Sequence, residues 1–385
     1  MDYYCSGKFT DLQVHVQSRL LYNCCMAYPE RVDLDWLEAN PGKLFHTRTM
    51  LEDRALMLDN KSCESCHFGC YKKEEQGLIS ERASYINQPK ISDIHAPMRN
   101  LTLSLSTDCN LACMYCSPEW SSSWHKDITK NGEYLVEGAP VHKTNNWHTL
   151  WSKMKQKTRG TESKFFSLLL REIKMAQGLE HVRLIGGEPL LNNRLEQVMK
   201  HLHGKQISIT TGLGVSHTRL QHILKTIEGT NTVFDISAES TGPLFELLRN
   251  GITWQDFQER VNMVEKSGHK IIFSSTISNL AVLGFNKLHD IYAGKHEIRI
   301  HPLHDRDWMN PHVLDTTSKI KFVEDTKHKK DLPEFKTLLS MIDGIPTDQD
   351  RINTGDYLQQ FSSRRSIALD FLPAHFLKWC GVKHN

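Results

Sequence analysis

From Arg99 onward, short apolar runs alternate with longer stretches in which apolar residues recur every three or four positions. The short runs are Asn100–Leu105 (NLTLSL), Val182–Ile185 (VRLI), Ile207–Thr211 (ISITT), Val233–Ser237 (VFDIS), Ile271–Ile277 (IIFSSTI) and Ile298–Leu303 (IRIHPL). Each is bounded by Gly, Asn, Asp or charged residues and reads as a strand. Between the first two, Phe165, Phe166, Leu169, Leu170 and Ile173 share one helical face. That spacing predicts a helix over Glu162–Gln177, with Thr161 as N-cap and Gly178 just past its end. Two more helices are expected, over Pro243–Arg249 with the proline in the first turn and over Trp254–Lys266. Strands alternating with helices predict an α/β fold on a parallel sheet, the helices serving as crossovers. Ser117–Gly160 breaks the pattern: rich in Ser, Asn and Lys, it carries Trp120, Trp124, Trp147 and Trp151 and reads as an inserted surface excursion or lid.

The N-terminal stretch is patterned differently. Leu12–His15 alternates apolar and polar, and after Ser18-Arg19 a second short strand ends in Cys24-Cys25, which reads as a β-hairpin delivering a thiol. Composition then changes the picture, because of the 10 cysteines only Cys380 lies beyond residue 120. The opening MDYYCSGKFTDL has no basic segment leading into an apolar core, and nowhere do 18 apolar residues run together. A cytoplasmic protein with reduced thiols and no membrane partner is therefore expected. The 47 Lys and Arg against 45 Asp and Glu leave a formal charge of +2, too even a balance for nucleic-acid binding by electrostatics.

Cys109, Cys113 and Cys116 form a CxxxCxxC run directly after a strand, in a loop. Thiolates are the natural ligands of iron–sulfur clusters, and a compact loop can wrap three corners of a cubane and leave the fourth iron open. Structural zinc is the competing reading, although it usually takes two CxxC pairs or cysteines with histidines. Further along, strand Val182–Ile185 runs straight into Gly186-Gly187-Glu188-Pro189, where glycines allow close backbone approach. Gly212-Leu-Gly214 lacks the third glycine of a dinucleotide fingerprint, so that reading fails.

These residues resemble the radical S-adenosylmethionine (SAM) superfamily, whose hallmark is CxxxCxΦC with an aromatic residue before the last cysteine, here Tyr115. The resemblance implies a partial parallel (β/α)6 barrel over residues 97–305, with residues 117–160 inserted and the cysteine loop at its mouth. It implies a [4Fe–4S] cluster on Cys109, Cys113 and Cys116, SAM chelating the open iron, and one-electron cleavage of the sulfonium bond by the reduced cluster. The resulting 5′-deoxyadenosyl radical would abstract hydrogen from substrate. Tyr115 would lie near the adenine and Gly186, Gly187, Glu188 and Pro189 at the SAM amino group. Thr210-Thr211-Gly212 would lie near the SAM site, with Ser237 and Glu239 binding its carboxylate or ribose. An external electron donor such as flavodoxin or ferredoxin is also implied.

Cys5, one of Cys24 and Cys25, and two of Cys63, Cys66 and Cys70 would complete a further cluster with no open iron. Adjacent strand residues face opposite ways, so only one of Cys24 and Cys25 is expected to ligate. Glu74, Gly77, Ser80 and Arg82 follow, and Leu248-Arg249-Asn-Gly251-Ile-Thr-Trp254 lies downstream. Together these resemble the N-terminal twitch group, in which a half-SPASM auxiliary module precedes the SAM domain. That implies a second [4Fe–4S] cluster within residues 1–90; a zinc ribbon is the alternative. Residues 306–385 are expected to form a mostly helical tail. Relatives with auxiliary clusters often modify peptides or proteins, so a maturase-like enzyme is the leading expectation. The alternatives are modification of a sugar or small metabolite, and a non-catalytic iron–sulfur or zinc sensor. His301, His304, Asp305 and Asp307 could contact substrate or shuttle a proton, though such a group in a polar loop is usually surface, and Cys380 reads as a buried thiol.

Overall fold

A computed structural model of the chain describes residues 2–24, 26–77, 79–137, 160–303 and 306–382. The strands among them are β1 (Asp11–His15), β2 (Leu20–Tyr22), β3 (Glu30–Arg31), β4 (Asn100–Ser104), β5 (Ala112–Cys113), β6 (His181–Ile185), β7 (Gln206–Thr211), β8 (Asn231–Ser237), β9 (Arg249–Asn250), β10 (Lys270–Ile277) and β11 (Glu297–Pro302). The chain divides into two compact units. One takes Met1–Thr107, Asn146–Ile209 and Thr226–Thr232, and the other Asp108–Asn145, Thr210–Lys225 and Val233–Asn385.

In the first unit the strands run in the order β7, β6, β4, β1, β2, β3. β4, β6 and β7 are parallel, as the alternating pattern predicts. β1 joins β4 in parallel, with Asp11 opposite Asn100 and His15 opposite Ser104, and so buries Leu12 and Val14. The hairpin is present, but its ladder ends where Gln13 meets Tyr22. Cys24 therefore sits in a bend beyond the strand, and strand alternation cannot choose between it and Cys25, which lies outside the described residues. The chain leaves the ladder because Asn23 turns inward: it is buried, accepts from Lys8 Nζ and donates to Asp53.

The first crossover helix spans Glu162–Met175, two residues shorter than predicted, because Ala176 leaves helical geometry at φ −76° and ψ 79°. Thr161 holds the N-cap position without a side-chain cap bond. Phe165, Phe166, Leu169 and Ile173 are buried as their spacing requires. Glu172 is buried beside them and accepts from the N–H groups of Gly42 and Leu44 at 3.0 and 3.1 Å, fastening an N-terminal loop to this helix.

In the second unit β8, β10 and β11 are parallel, with Val233 opposite Lys270 and Ser274 opposite Arg299. Among the described residues no ladder closes either set of strands into a ring. The helix containing Pro243 spans Gly242–Leu248, one residue earlier than predicted at each end. Trp254–Lys266 is helical throughout, and the Thr253 hydroxyl caps it by accepting from Asp256 N–H at 3.1 Å. Helices Thr316–Thr326, Pro333–Ile342, Asp348–Arg365 and Ala374–Cys380 complete the unit. Of the expected insertion, residues 138–159, including Trp147 and Trp151, lie outside the described residues. Its first part is a helix, Ser122–Asn131, whose Trp124 is wholly buried, so this part belongs to the core of its unit. No helix among the described residues is long and apolar enough to cross a membrane.

Candidate metal centres

The cysteine loop is built into the second unit by a ladder of two residues. β5 pairs antiparallel with β9, setting Cys113 opposite Arg249. Arg249 Nη1 donates to Cys113 Sγ at 3.6 Å, and its guanidinium carbon lies 5.5 Å from the centre of the Tyr115 ring. The remaining nitrogens bind Glu239 in bidentate fashion, Nε at 2.9 Å and Nη2 at 2.5 Å. Glu239 has no exposed surface and also accepts Thr276 N–H at 3.3 Å. A carboxylate this deeply buried needs a counter-ion, and Arg249 is it. Arg249 was not among the candidate site residues read from sequence, although it lies in the segment Leu248–Trp254 quoted above for the resemblance.

Side chains hold the backbone of the loop. The Cys113 carbonyl accepts from Trp124 Nε1 at 2.9 Å, and the Met114 carbonyl accepts from Tyr357 Oη at 2.5 Å and Arg306 Nη1 at 3.3 Å. The Cys116 carbonyl accepts from Arg306 Nη2 at 3.0 Å. At the other end, the Cys109 carbonyl accepts from Ser123 Oγ at 2.9 Å. Burial pushes the Cys116 thiol up to about 12, with the charge of Cys113 adding, so a thiolate there calls for a positive partner. Gly251, at φ 115°, lies where a Cβ would come within 2.7 Å of the Asn110 carbonyl oxygen. Gly251→Ala is expected to destabilise the unit by about 1–3 kcal/mol and to loosen the loop, read as a lower thermal midpoint together with reduced iron retention.

In the first unit β6 delivers Gly186–Pro189 to a turn. Gly187 N–H donates to the Ser106 carbonyl at 2.9 Å, and Gly186, at φ 132°, lies where a Cβ would sit 2.6 Å from that oxygen. Only glycine permits this approach. Glu188 is buried and accepts Leu190 N–H at 3.2 Å, heading the short turn Pro189–Leu191.

The N-terminal cysteines of the same unit converge. Cys5, Cys63 and Cys66 pack with Phe9, Met57 and Tyr71; Cys70 is also buried and Cys24 half-buried. Burial pushes the Cys5 thiol up to about 11, with Cys24 and Cys70 adding to the shift. A hydrogen bond with Cys66 draws Cys63 below the ordinary thiol range, and the same bond pushes Cys66 up. Past Cys70, Glu74 accepts from Ser80 Oγ at 2.5 Å and Arg82 Nε at 2.9 Å, while Arg82 Nη1 donates to the Tyr4 carbonyl at 3.0 Å. These bonds tie the segment after Cys70 to the one before Cys5. Hydrogen bonding from Arg82 holds Glu74 below the usual carboxylate range. A depressed folded-state value means that this stabilisation is present above the ordinary Glu value of about 4.3 and is lost as pH falls through the depressed value. Glu74→Gln is expected to remove that part of the acid sensitivity, measured by denaturant unfolding across this range.

The remaining sequence candidates are more scattered. Thr211 is buried and its Oγ1 accepts Leu213 N–H at 2.8 Å; Ser237 is half-buried opposite Ser274. His301 and Asp307 are exposed, and His304 and Asp305 lie outside the described residues. Cys380 is buried, its thiol pushed up to about 12 by burial.

Residues 103–291 match the sequence profile of the Radical SAM superfamily. Those residues thus carry the match to a radical SAM domain. The matched stretch takes in the cysteine loop and Gly186–Pro189. The chain is 27% identical over 173 residues to Molybdenum cofactor biosynthesis protein 1 of Mus musculus, covering 44% of this chain and 22% of the mouse protein. Native anSMEcpe with bound AdoMet aligns at TM-score 0.38 and 15% identity over 60% of each chain. Streptococcus suis SuiB bound to S-adenosylmethionine aligns at TM-score 0.32 and 14% identity, over 75% of this chain and 61% of that one. A radical SAM domain implies an enzyme that uses SAM and a [4Fe–4S] cluster. Cys109, Cys113 and Cys116 fit that cluster by their chemistry: three cysteines outside any disulfide on a pinned backbone, one of them beside a buried guanidinium.

Proposed function

We propose that Cys109, Cys113 and Cys116 hold a [4Fe–4S] cluster with SAM beside it, and that the enzyme abstracts hydrogen from a peptide or protein. The observation that carries this reading is the pinned CxxxCxxC loop with Arg249 against Cys113. When bound, the cluster supplies the electron that cleaves SAM reductively. The chain's own residues prepare for it. Arg249, oriented by Glu239, brings a fixed positive charge to the thiolates and an N–H to Cys113 Sγ. Glu239 thus acts through Arg249; in this reading Thr211 and Ser237 contact SAM's polar groups. Tyr115 offers a ring face for the adenine.

Cys5, one of Cys24 and Cys25, and two of Cys63, Cys66 and Cys70 hold an auxiliary cluster in this reading. The packing of Cys5 with Cys63 and Cys66, and the influence of Cys24 and Cys70 on Cys5, support it. The peptide or protein substrate follows from the resemblance to the twitch group, and flavodoxin or ferredoxin serves as external donor in the cytoplasm. The test is anaerobic reconstitution with iron and sulfide, followed by dithionite and SAM. About eight irons per chain and release of 5′-deoxyadenosine support the reading; tightly bound zinc, or no cleavage at full iron load, overturns it. Deuterium passing from a deuterated peptide pool into 5′-deoxyadenosine supports the substrate class, and transfer only from sugars or small metabolites overturns it.

A further inference from the structure

Lys8 has no exposed surface, an unusual position for an ammonium group. It lies on the first helical turn after Cys5, and its own N–H donates to the Cys5 carbonyl at 3.2 Å. Its Nζ donates to Asn23 Oδ1 at 2.5 Å, Ser65 Oγ at 2.5 Å and Asp53 Oδ2 at 2.9 Å. Ser65 Oγ in turn lies 3.7 Å from Cys63 Sγ, and the thiols of Cys66 and Cys63 both interact electrostatically with Lys8. A buried ion pair adds little net stability compared with apolar residues of the same shape. A cation set into the wall of a thiol pocket has another use: it offsets the negative charge that four thiolates and a cluster would concentrate there.

We propose that Lys8 is a positioning residue of the auxiliary centre, whose ammonium raises the reduction potential of the cluster. The proposal rests on the auxiliary-cluster reading above. The redox event is a one-electron reduction by the external donor, with no bond made or broken in the protein.

The test uses the full chain carrying Cys109→Ala, Cys113→Ala and Cys116→Ala, which retains only the auxiliary site. After anaerobic reconstitution, iron is counted and the midpoint potential is measured by titration followed by electron paramagnetic resonance. Uptake of about four irons establishes the cluster. Lys8→Met in this background is expected to lower the potential by a tenfold change in the reduced-to-oxidised ratio or more, 59 mV for one electron. Asp53→Asn, which removes the opposing charge and keeps the shape, is expected to raise it. Opposite signs cannot come from a generally loosened pocket, and Asp53→Asn keeps the test decisive should Lys8→Met fail to fold. Iron uptake with both potentials unmoved, or both moved the same way, overturns the role of Lys8 alone. Failure of the parent triple variant to take up iron overturns the auxiliary-cluster reading itself.

Discussion

Cys113→Ala is expected to abolish SAM cleavage while leaving the fold and the auxiliary cluster in place. Cys113 is one of only three thiols on the loop, and it is the one that receives the Arg249 N–H. Its loss leaves two protein ligands, too few to hold a cubane with one open iron. The backbone should not notice, because Trp124 bonds the carbonyl of residue 113 and the ladder to Arg249 is a main-chain pairing. Iron content should fall from about eight to about four per chain, and 5′-deoxyadenosine formation should be lost. The thermal midpoint should change little. Cleavage near the wild-type rate in the variant would remove Cys113 from the centre and the loop from the mechanism.

Arg249→Met has the second-largest expected effect, and a paired variant separates its two causes. Alone, it leaves the Glu239 carboxylate wholly buried without a counter-ion, which should cost about 3–5 kcal/mol and lower the thermal midpoint clearly. Arg249→Met combined with Glu239→Gln removes the orphaned charge and should recover most of that stability. Cleavage in the double variant should nevertheless stay about 10–100-fold below wild type, because Cys113 lacks its donor and the thiolates their fixed cation. Iron binding and 5′-deoxyadenosine formation, each measured beside thermal unfolding, report the two effects separately. If the double variant regains both stability and activity, Arg249 serves only the fold.

Local pattern accounts for much of what could be read in advance. The strands and crossover helices were legible because burial on one face imposes a period of two or 3.6 on any sequence, whatever packs against it. CxxxCxxC and Gly186–Pro189 were legible for a related reason: a loop that wraps a cluster, and a turn that admits no Cβ, must carry their chemistry on consecutive residues. Helix ends were less legible, since the backbone at Ala176 answers to neighbours outside its own helix.

Partners distant in the chain were decided only by tertiary structure. Arg249 reaches Cys113 across 136 residues through a ladder two residues long, too short to leave any hydrophobic period. Glu239 looked like a polar residue at a strand end, available to a ligand, until burial against Arg249 committed it to the protein. β1 read as half of a hairpin, yet it also completes the parallel sheet beside β4, because Leu12 and Val14 are buried there. Lys8 carried no signal in a sequence with 47 basic residues, and only its burial beside Cys63 and Cys66 sets it apart. Periodicity records which face of an element is buried; which charge meets which thiol depends on loop closures that no local pattern encodes.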